Sequence, residues 1–260
     1  MLLNGEAWVG LSKKNIEDLE KVDESLLRRI LKVPGSTPIP ALYLELGCIP
    51  VRFILMKRRI MFLQYILNED ENDTISQVLK MQMDNPLKND WIVQVKNDLD
   101  EIKLNYSFME IKNMKKTTLK KIVKDAINKK ALNFLKDEVR RKNLKKVNVD
   151  QYTELKLQDY LNLKDISRNK KMYLFKARTR MLSVGSNFGR KSLCPACLLT
   201  LDEQNHLGQC MVIKINSPYL LKQTKNPSLS DIFSTDTKLL SDIANTLENV
   251  MRTREKIMQK

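Results

Sequence analysis

Apolar residues recur along most of the chain at three- and four-residue spacings, the repeat of a helix that buries one face. Ile16, Leu19, Leu26, Leu27, Ile30 and Leu31 predict a helix over Lys13–Lys32 with Ser12 as its N-cap. The proline-rich run Pro34–Pro40 ends it as a rigid loop. A short segment, Ala41–Leu46, follows, and Pro50 suits the first turn of the next helix. There Phe53, Met56, Ile60, Leu63 and Leu67 form a core-facing seam flanked by Arg52 and Arg59. Beyond the acidic break Asn68–Asp73, helices are predicted over Thr74–Met83 and Asn89–Glu101, and Ser107 with Glu110 makes a capping box. A long basic helix runs from Thr117 or Thr118 to about Lys142, with Leu119, Val123, Ile127, Ala131 and Phe134 as its apolar face. Helices over Asp165–Val184 and Thr237–Met258 complete a mainly α reading. The apolar face of the last is Leu239, Leu240, Ile243, Leu247 and Val250. Trp8 and Trp91 sit in amphipathic surroundings and read as core residues.

Composition narrows the class. A 42% hydrophobic share in 260 residues supports a folded core and one or two domains. No stretch reaches the ~18 consecutive apolar residues of a membrane helix. The richest run, Ile49–Met61, carries Arg52, Lys57, Arg58 and Arg59. The first six residues have no basic region of the signal-peptide kind, and 4 Cys do not make a disulfide framework. A reducing nuclear or cytoplasmic setting, rather than secretion, is the expectation.

The net charge of +15 is unevenly placed. Residues 1–102 hold 13 basic and 16 acidic side chains, residues 103–191 hold 25 and 8, and residues 192–260 hold 8 and 7. The surplus therefore lies in one basic segment, and its simplest partner is nucleic acid, RNA or DNA.

Three of the 4 Cys and the only His lie close together as Cys194, Cys197, His206 and Cys210, spaced C-x2-C-x8-H-x3-C. Two thiolates two residues apart can grip one Zn²⁺, and His206 and Cys210 stand one helical turn apart. Four such ligands make a closed structural site, and metal binding would supply folding energy to so short a unit. Chance clustering of reduced thiols and a thiol-redox pair at Cys194 and Cys197 are the competing readings.

Upstream, Lys170, Lys171, Lys176, Arg178 and Arg180 crowd around Tyr173. On one continuous helix Tyr173, Lys176 and Arg180 share a ridge that would hold phosphates and stack a base. Equally, Tyr173 reads as core and the cations as a solvated face. Arg190 and Lys191 extend the basic surface into the Cys/His segment. No catalytic constellation stands out: the single His is claimed by the cysteines, and no P-loop or G-x-G-x-x-G occurs. Asp231, Asp236 and Lys238 are the nearest approach to a metal-ion nuclease set.

Leu2-Leu3-Asn4-Gly5-Glu6-Ala7-Trp8 followed by Leu26-Leu27-Arg28-Arg29-Ile30-Leu31 resembles the thumb region of reverse transcriptases from non-LTR (LINE-like) retrotransposons, with Asn4 where that family has Tyr. Leu42–Pro50, Arg58–Leu67, Ala177–Met181 and the Cys194–Cys210 segment continue the likeness. It touches residues 2–67 and about 172–210. The resemblance implies a helical thumb-like domain over 1–102 and a CCHC zinc knuckle over 192–212; charge and periodicity add a basic helical linker over 103–191 and a helical tail over 213–260. It implies structural Zn²⁺ on Cys194, Cys197, His206 and Cys210, with Arg178 and Arg180 as phosphate contacts. The family's fingers and palm, with their Tyr/Phe-x-Asp-Asp metal site, have no counterpart in this chain. A detached C-terminal part without catalysis of its own is therefore expected. A protein-interaction scaffold docking its helical seams on a polymerase domain, and a decayed remnant, are the alternatives.

Overall fold

The computed structural model describes residues 5–8, 10–144, 147–221 and 229–259. Leu2, Leu3 and Asn4 of the N-terminal motif and Lys145 and Lys146 of the basic segment lie outside them. The described residues are mainly helical, with no sheet and one isolated antiparallel bridge, Leu193 to Leu201. Among the described residues the α-helices are, in order, α1 (Lys13–Leu31), α2 (Ile39–Leu46), α3 (Val51–Leu67), α4 (Thr74–Asp84), α5 (Trp91–Glu101), α6 (Phe108–Asn113), α7 (Lys116–Arg141), α8 (Asp159–Asn162), α9 (Arg168–Arg178), α10 (Gln204–Leu207), α11 (Met211–Ile215), α12 (Pro218–Leu221) and α13 (Thr237–Met258). Among the described residues no single helix is long and apolar enough to cross a membrane.

The chain divides into two units that do not follow the sequence order: residues 1–26 with 48–137, and 27–47 with 138–260. The basic segment over 103–191 is thus split between units at Asp137 and Glu138.

In the first unit α3 is the central helix, packed by α4, α5, α6 and the turn Gly5–Ala7. Its buried set is wider than the seam read from sequence, adding Val51, Leu55 and Ile66. It also buries two polar side chains, each satisfied. Arg59 reaches both Asp98 oxygens, at 2.6 and 3.0 Å, and Gln64 donates to the carbonyls of Ile111 and Met114. Arg59 therefore belongs to the interior rather than to the seam's flank. Arg52 does stay at the flank, paired with Glu20 and laid over the Phe134 ring at 4.6 Å.

In the second unit α9 and α13 are the principal pair. The α2 helix is buried from Pro40 through Glu45, so its one charge requires a buried partner. Gly47 closes α2 in the left-handed region at φ 62°. A Cβ there would meet the Lys156 backbone at 2.1 Å, so both conformation and space demand glycine. The α13 helix spans the predicted Thr237–Met258 and buries Leu240, Ile243, Leu247 and Val250, with Asp236 as its N-cap. It is a core element of this unit rather than a tail.

Helix α9 is shorter than the predicted Asp165–Val184. Ser167 caps its start, and Arg180 takes φ 51° after its end. The Met181 N–H reaches the Lys176 carbonyl at 2.6 Å and the Arg180 N–H reaches Ala177 at 3.2 Å, which completes a Schellman stop. Lys32, Lys103 and Asn143 close α1, α5 and α7 with the same paired bonds. With 7 Gly in the chain, basic side chains and an asparagine fill positions that glycine usually takes.

Candidate metal centre and its basic surroundings

The segment Leu193–Leu201 folds as a tight hairpin. Leu198 turns it at φ 57°, its N–H donating to Cys194 O at 2.8 Å, and the Cys194 N–H returns to Thr200 O at 2.7 Å. This turn brings Cys194 and Cys197 to one side. The short α10 helix carries His206, and the Cys210 N–H bonds the His206 carbonyl at 2.8 Å. Cys210 sits just past that helix, at the start of α11.

The four donor atoms of Cys194, Cys197, His206 and Cys210 lie within 4.8 Å of one another, close enough to hold one metal ion. Cys194 Sγ is 4.0 Å from Cys210 Sγ, and Cys197 Sγ is 3.3 Å from His206 Nε2. A tetrahedral ion with metal–sulfur bonds of ~2.3 Å sets two sulfurs about 3.8 Å apart and a sulfur and nitrogen about 3.5 Å apart. These two separations match those edges within a few tenths of an ångström, and the other pairs lie within 4.8 Å. Cys194 and Cys210 are buried, and Cys197 and His206 are half-buried.

Electrostatics distinguish the thiols. The Leu199 N–H aimed at Cys197, assisted by Thr200 and His206, draws its thiol down to about 6. Burial pushes Cys210 up to about 11, with Cys194 adding to the rise. A bound cation would favour the thiolate at every position. Cys48 belongs to the other unit, and burial raises its thiol as for a small hydrophobe.

Asp202 anchors this hairpin to the second unit. Its carboxylate accepts from Gly185 N at 2.7 Å and from both Arg254 Nη atoms at 2.5 and 2.7 Å. Its N–H donates to Ser192 O, and its carbonyl accepts from Ser186 N. Gln204 Nε2 on α10 donates to Ala177 O at the end of α9. The cluster is thereby tied to both α9 and α13.

The predicted nucleic-acid contacts fall in three environments. Arg178 is 5% exposed, and each of its three guanidinium nitrogens donates a hydrogen bond. Nε reaches the two Glu45 oxygens at 2.9 and 3.0 Å, Nη1 the Ile232 carbonyl and Nη2 the Gln158 Oε1. Tyr152 donates to the same Glu45, and the Tyr160 and Phe233 rings flank Arg178. Arg178 is therefore unavailable to a phosphate, because Glu45 would be left as an unpaired buried charge. Lys170, Lys171, Tyr173 and Lys176 are half-buried. Lys170 lies 3.9 Å from Glu248, Lys171 donates to Leu161 O at 2.8 Å, and burial raises the Tyr173 phenol. The third group, Arg180, Arg190 and Lys191, is exposed, with no ion-pair partner among the described residues. The ridge of Tyr173, Lys176 and Arg180 does not form, since the helix stops before Arg180. Asp236 is committed to capping α13, where it accepts from Lys238 N and Leu239 N.

Two features escaped the sequence reading. Glu45 and Arg178 are 133 residues apart, and no local pattern pairs them. The other was legible: from Ile166 to Leu201 the chain contains no Asp or Glu but eight Lys and Arg. By unit, the second holds 26 basic and 13 acidic residues, and the first 20 and 18. Comparison with known protein families, curated proteins and solved structures gives no match.

Proposed function

We propose that the chain is a zinc-stabilised nucleic-acid-binding protein without catalysis of its own. The observation that carries this reading is one cationic unit that holds both the four-donor cluster and the unpaired cations leading into it. Three thiols and one imidazole are the soft, tetrahedral donor set that zinc favours, and four protein ligands leave no position for a reacting water. Zinc here would fix the Leu193–Leu201 hairpin and α10 on α9 and α13. Arg180, Arg190 and Lys191 would meet phosphate oxygens, and the partly covered Lys176 would adjoin them.

The likeness to the C-terminal thumb and CCHC knuckle of non-LTR retrotransposon reverse transcriptases supports the same reading and supplies its partner, RNA template or target DNA. Metal analysis of the purified chain is expected to give about one zinc per chain, lost in Cys194→Ser. Binding to RNA on a gel is expected to weaken steeply with salt. Arg190→Ala and Lys191→Ala should each reduce the slope of log K against log salt by ~0.7–0.9. Salt-insensitive binding would refute the electrostatic part, and metal-free protein of normal stability would refute the zinc part.

A scaffold reading rests on one observation: Ile75, Val78 and Met81 are exposed at three-residue steps on α4. Co-purification of a polymerase domain, lost in Val78→Asp and unaccompanied by nucleic-acid binding, would favour it.

A further inference from the structure

The second unit contains another polar centre, outside the Cys/His segment. Gln151, Tyr152, Gln158, Tyr160, Arg178 and Phe233 help to line a cavity of about 140 Å³. It opens to solvent past Thr153, Glu154, Lys156 and Thr235, which are exposed. Some of its lining groups have nothing to bond. Both amide atoms of Gln151 and the Tyr160 hydroxyl are buried without a hydrogen-bond partner among the described residues. Tyr160 as a whole is 1% exposed. Tyr152 stands close to Gln151 and Glu45 close to Tyr160, but neither completes a bond of proper geometry. Tyr152 donates instead to Glu45, and Glu45 holds Arg178.

Buried donors and acceptors are nearly always satisfied, so three orphan atoms beside one cavity point to an occupant that brings the missing partners. Chemistry, size and charge define it. A side-chain amide presents a donor and an acceptor side by side, and its complement is another amide edge. No hydrogen bond holds the Gln151 amide in place, so turning it toward a ligand breaks nothing. A cavity of about 150 Å³ takes one benzene-sized ring. The half-buried Phe233 and the buried Leu240 supply an apolar wall for such a ring. Counting Glu45, the site sets Arg178 and Lys156 against Glu45, Glu154 and Asp159, and each Arg178 nitrogen already donates a hydrogen bond. An anion is therefore disfavoured and a neutral ligand is not.

We propose that this cavity binds a small neutral ring with an amide edge, a ring carboxamide or a free pyrimidine base. Gln151 exchanges N–H and C=O bonds with that edge, the Tyr160 hydroxyl meets a further polar atom of the ligand, and Phe233 covers the ring. The site shares no residue with the four metal ligands or with the exposed cations Arg180, Arg190 and Lys191.

The test is calorimetric titration of the full chain with nicotinamide, uracil, nicotinate and pyridine. Nicotinamide or uracil is expected to saturate one site per chain at about 1 mM or below, and the tighter of the two identifies the source of the amide edge. Nicotinate, with its carboxylate, and pyridine, with no amide, should bind at least about tenfold more weakly. Gln151→Leu and Tyr160→Phe should each weaken binding about 3–10-fold while leaving Tm unchanged or raised, because each removes a buried group that is unbonded in the free protein. A purely structural role would lower Tm and leave affinity untouched, which overturns the proposal. Failure of both amides to saturate at tens of millimolar means that the cavity holds ordered water only, and also overturns it. Equal affinity for nicotinate and nicotinamide would do the same. Should Gln151→Leu fail to fold, Tyr160→Phe and the ligand series on the wild type still decide.

Discussion

In the first unit, α3 packs among α4, α5 and α6 around one buried pair, Arg59 with Asp98, and acidic and basic residues nearly balance. The second unit buries two such pairs, Arg178 with Glu45 and Arg254 with Asp202, yet keeps a net +13. Inside both, each buried guanidinium is matched by a carboxylate, as the cost of desolvating a lone charge demands. The difference is confined to surfaces. It is accompanied by a difference in build: α8, α10, α11 and α12 are four or five residues long, too short to persist without tertiary support. Beside the long α13, the second unit places these short helices near polar anchors such as Asp202 and Gln204, whereas the first is built mainly from longer helices. Buried and exposed cations are interleaved along the same stretch of chain.

The contrast is most exposed to metal removal. Chelation, or Cys194→Ser, is expected to abolish hydrogen-exchange protection in the Leu193–Leu201 hairpin and α10 and to weaken it in α13. Structural zinc contributes about 10–16 kcal/mol to the folding of small motifs, an upper limit for a hairpin also held by Asp202. Equal loss of protection in α3 would erase the distinction between the units.

Next in size are the buried pairs. Arg178→Ala and Arg59→Ala should each cost about 3–5 kcal/mol by denaturant unfolding, because each strands a buried carboxylate. Glu45→Leu combined with Arg178→Met should recover most of the loss in the second unit. Nucleic-acid binding weakened by Arg178→Ala with stability unchanged would return that residue to the surface and break the assignment.

The smallest effect concerns the helix stops. Arg180→Gly and Lys103→Gly relieve a left-handed conformation costing ~1–2 kcal/mol, offset by ~0.5–1 kcal/mol of added chain entropy. Each should gain between about 0 and about 1.5 kcal/mol. A loss at Lys103 with a gain at Arg180 would show that the two units stop their helices for different reasons.

Much of the helical layout was legible from spacing. The Ser107–Glu110 capping box forms with both reciprocal bonds, and α7 and α13 lie within a residue or two of their predicted bounds. The face of α1 was less legible: Leu27 and Leu31 are buried, while Leu26 and Ile30 are 45% and 49% exposed. Four apolar residues in that helix fit more than one stripe, and only neighbouring elements select between them. The end of α9 was missed because its stop uses an arginine, and sequence signals for such stops rest on glycine.

The sequence alone determined the helical class, the long seams and the grouping of Cys194, Cys197, His206 and Cys210, because periodicity and ligand spacing are local properties of the chain. It also determined that positive charge accumulates ahead of the cysteines. Tertiary structure decided which of those charges remain available. Arg178 and Arg180 are two residues apart and chemically identical, yet one is sealed against Glu45 and the other is exposed. That outcome depends on a carboxylate 133 residues away, since the penalty for an unpaired buried charge is settled only when distant segments meet.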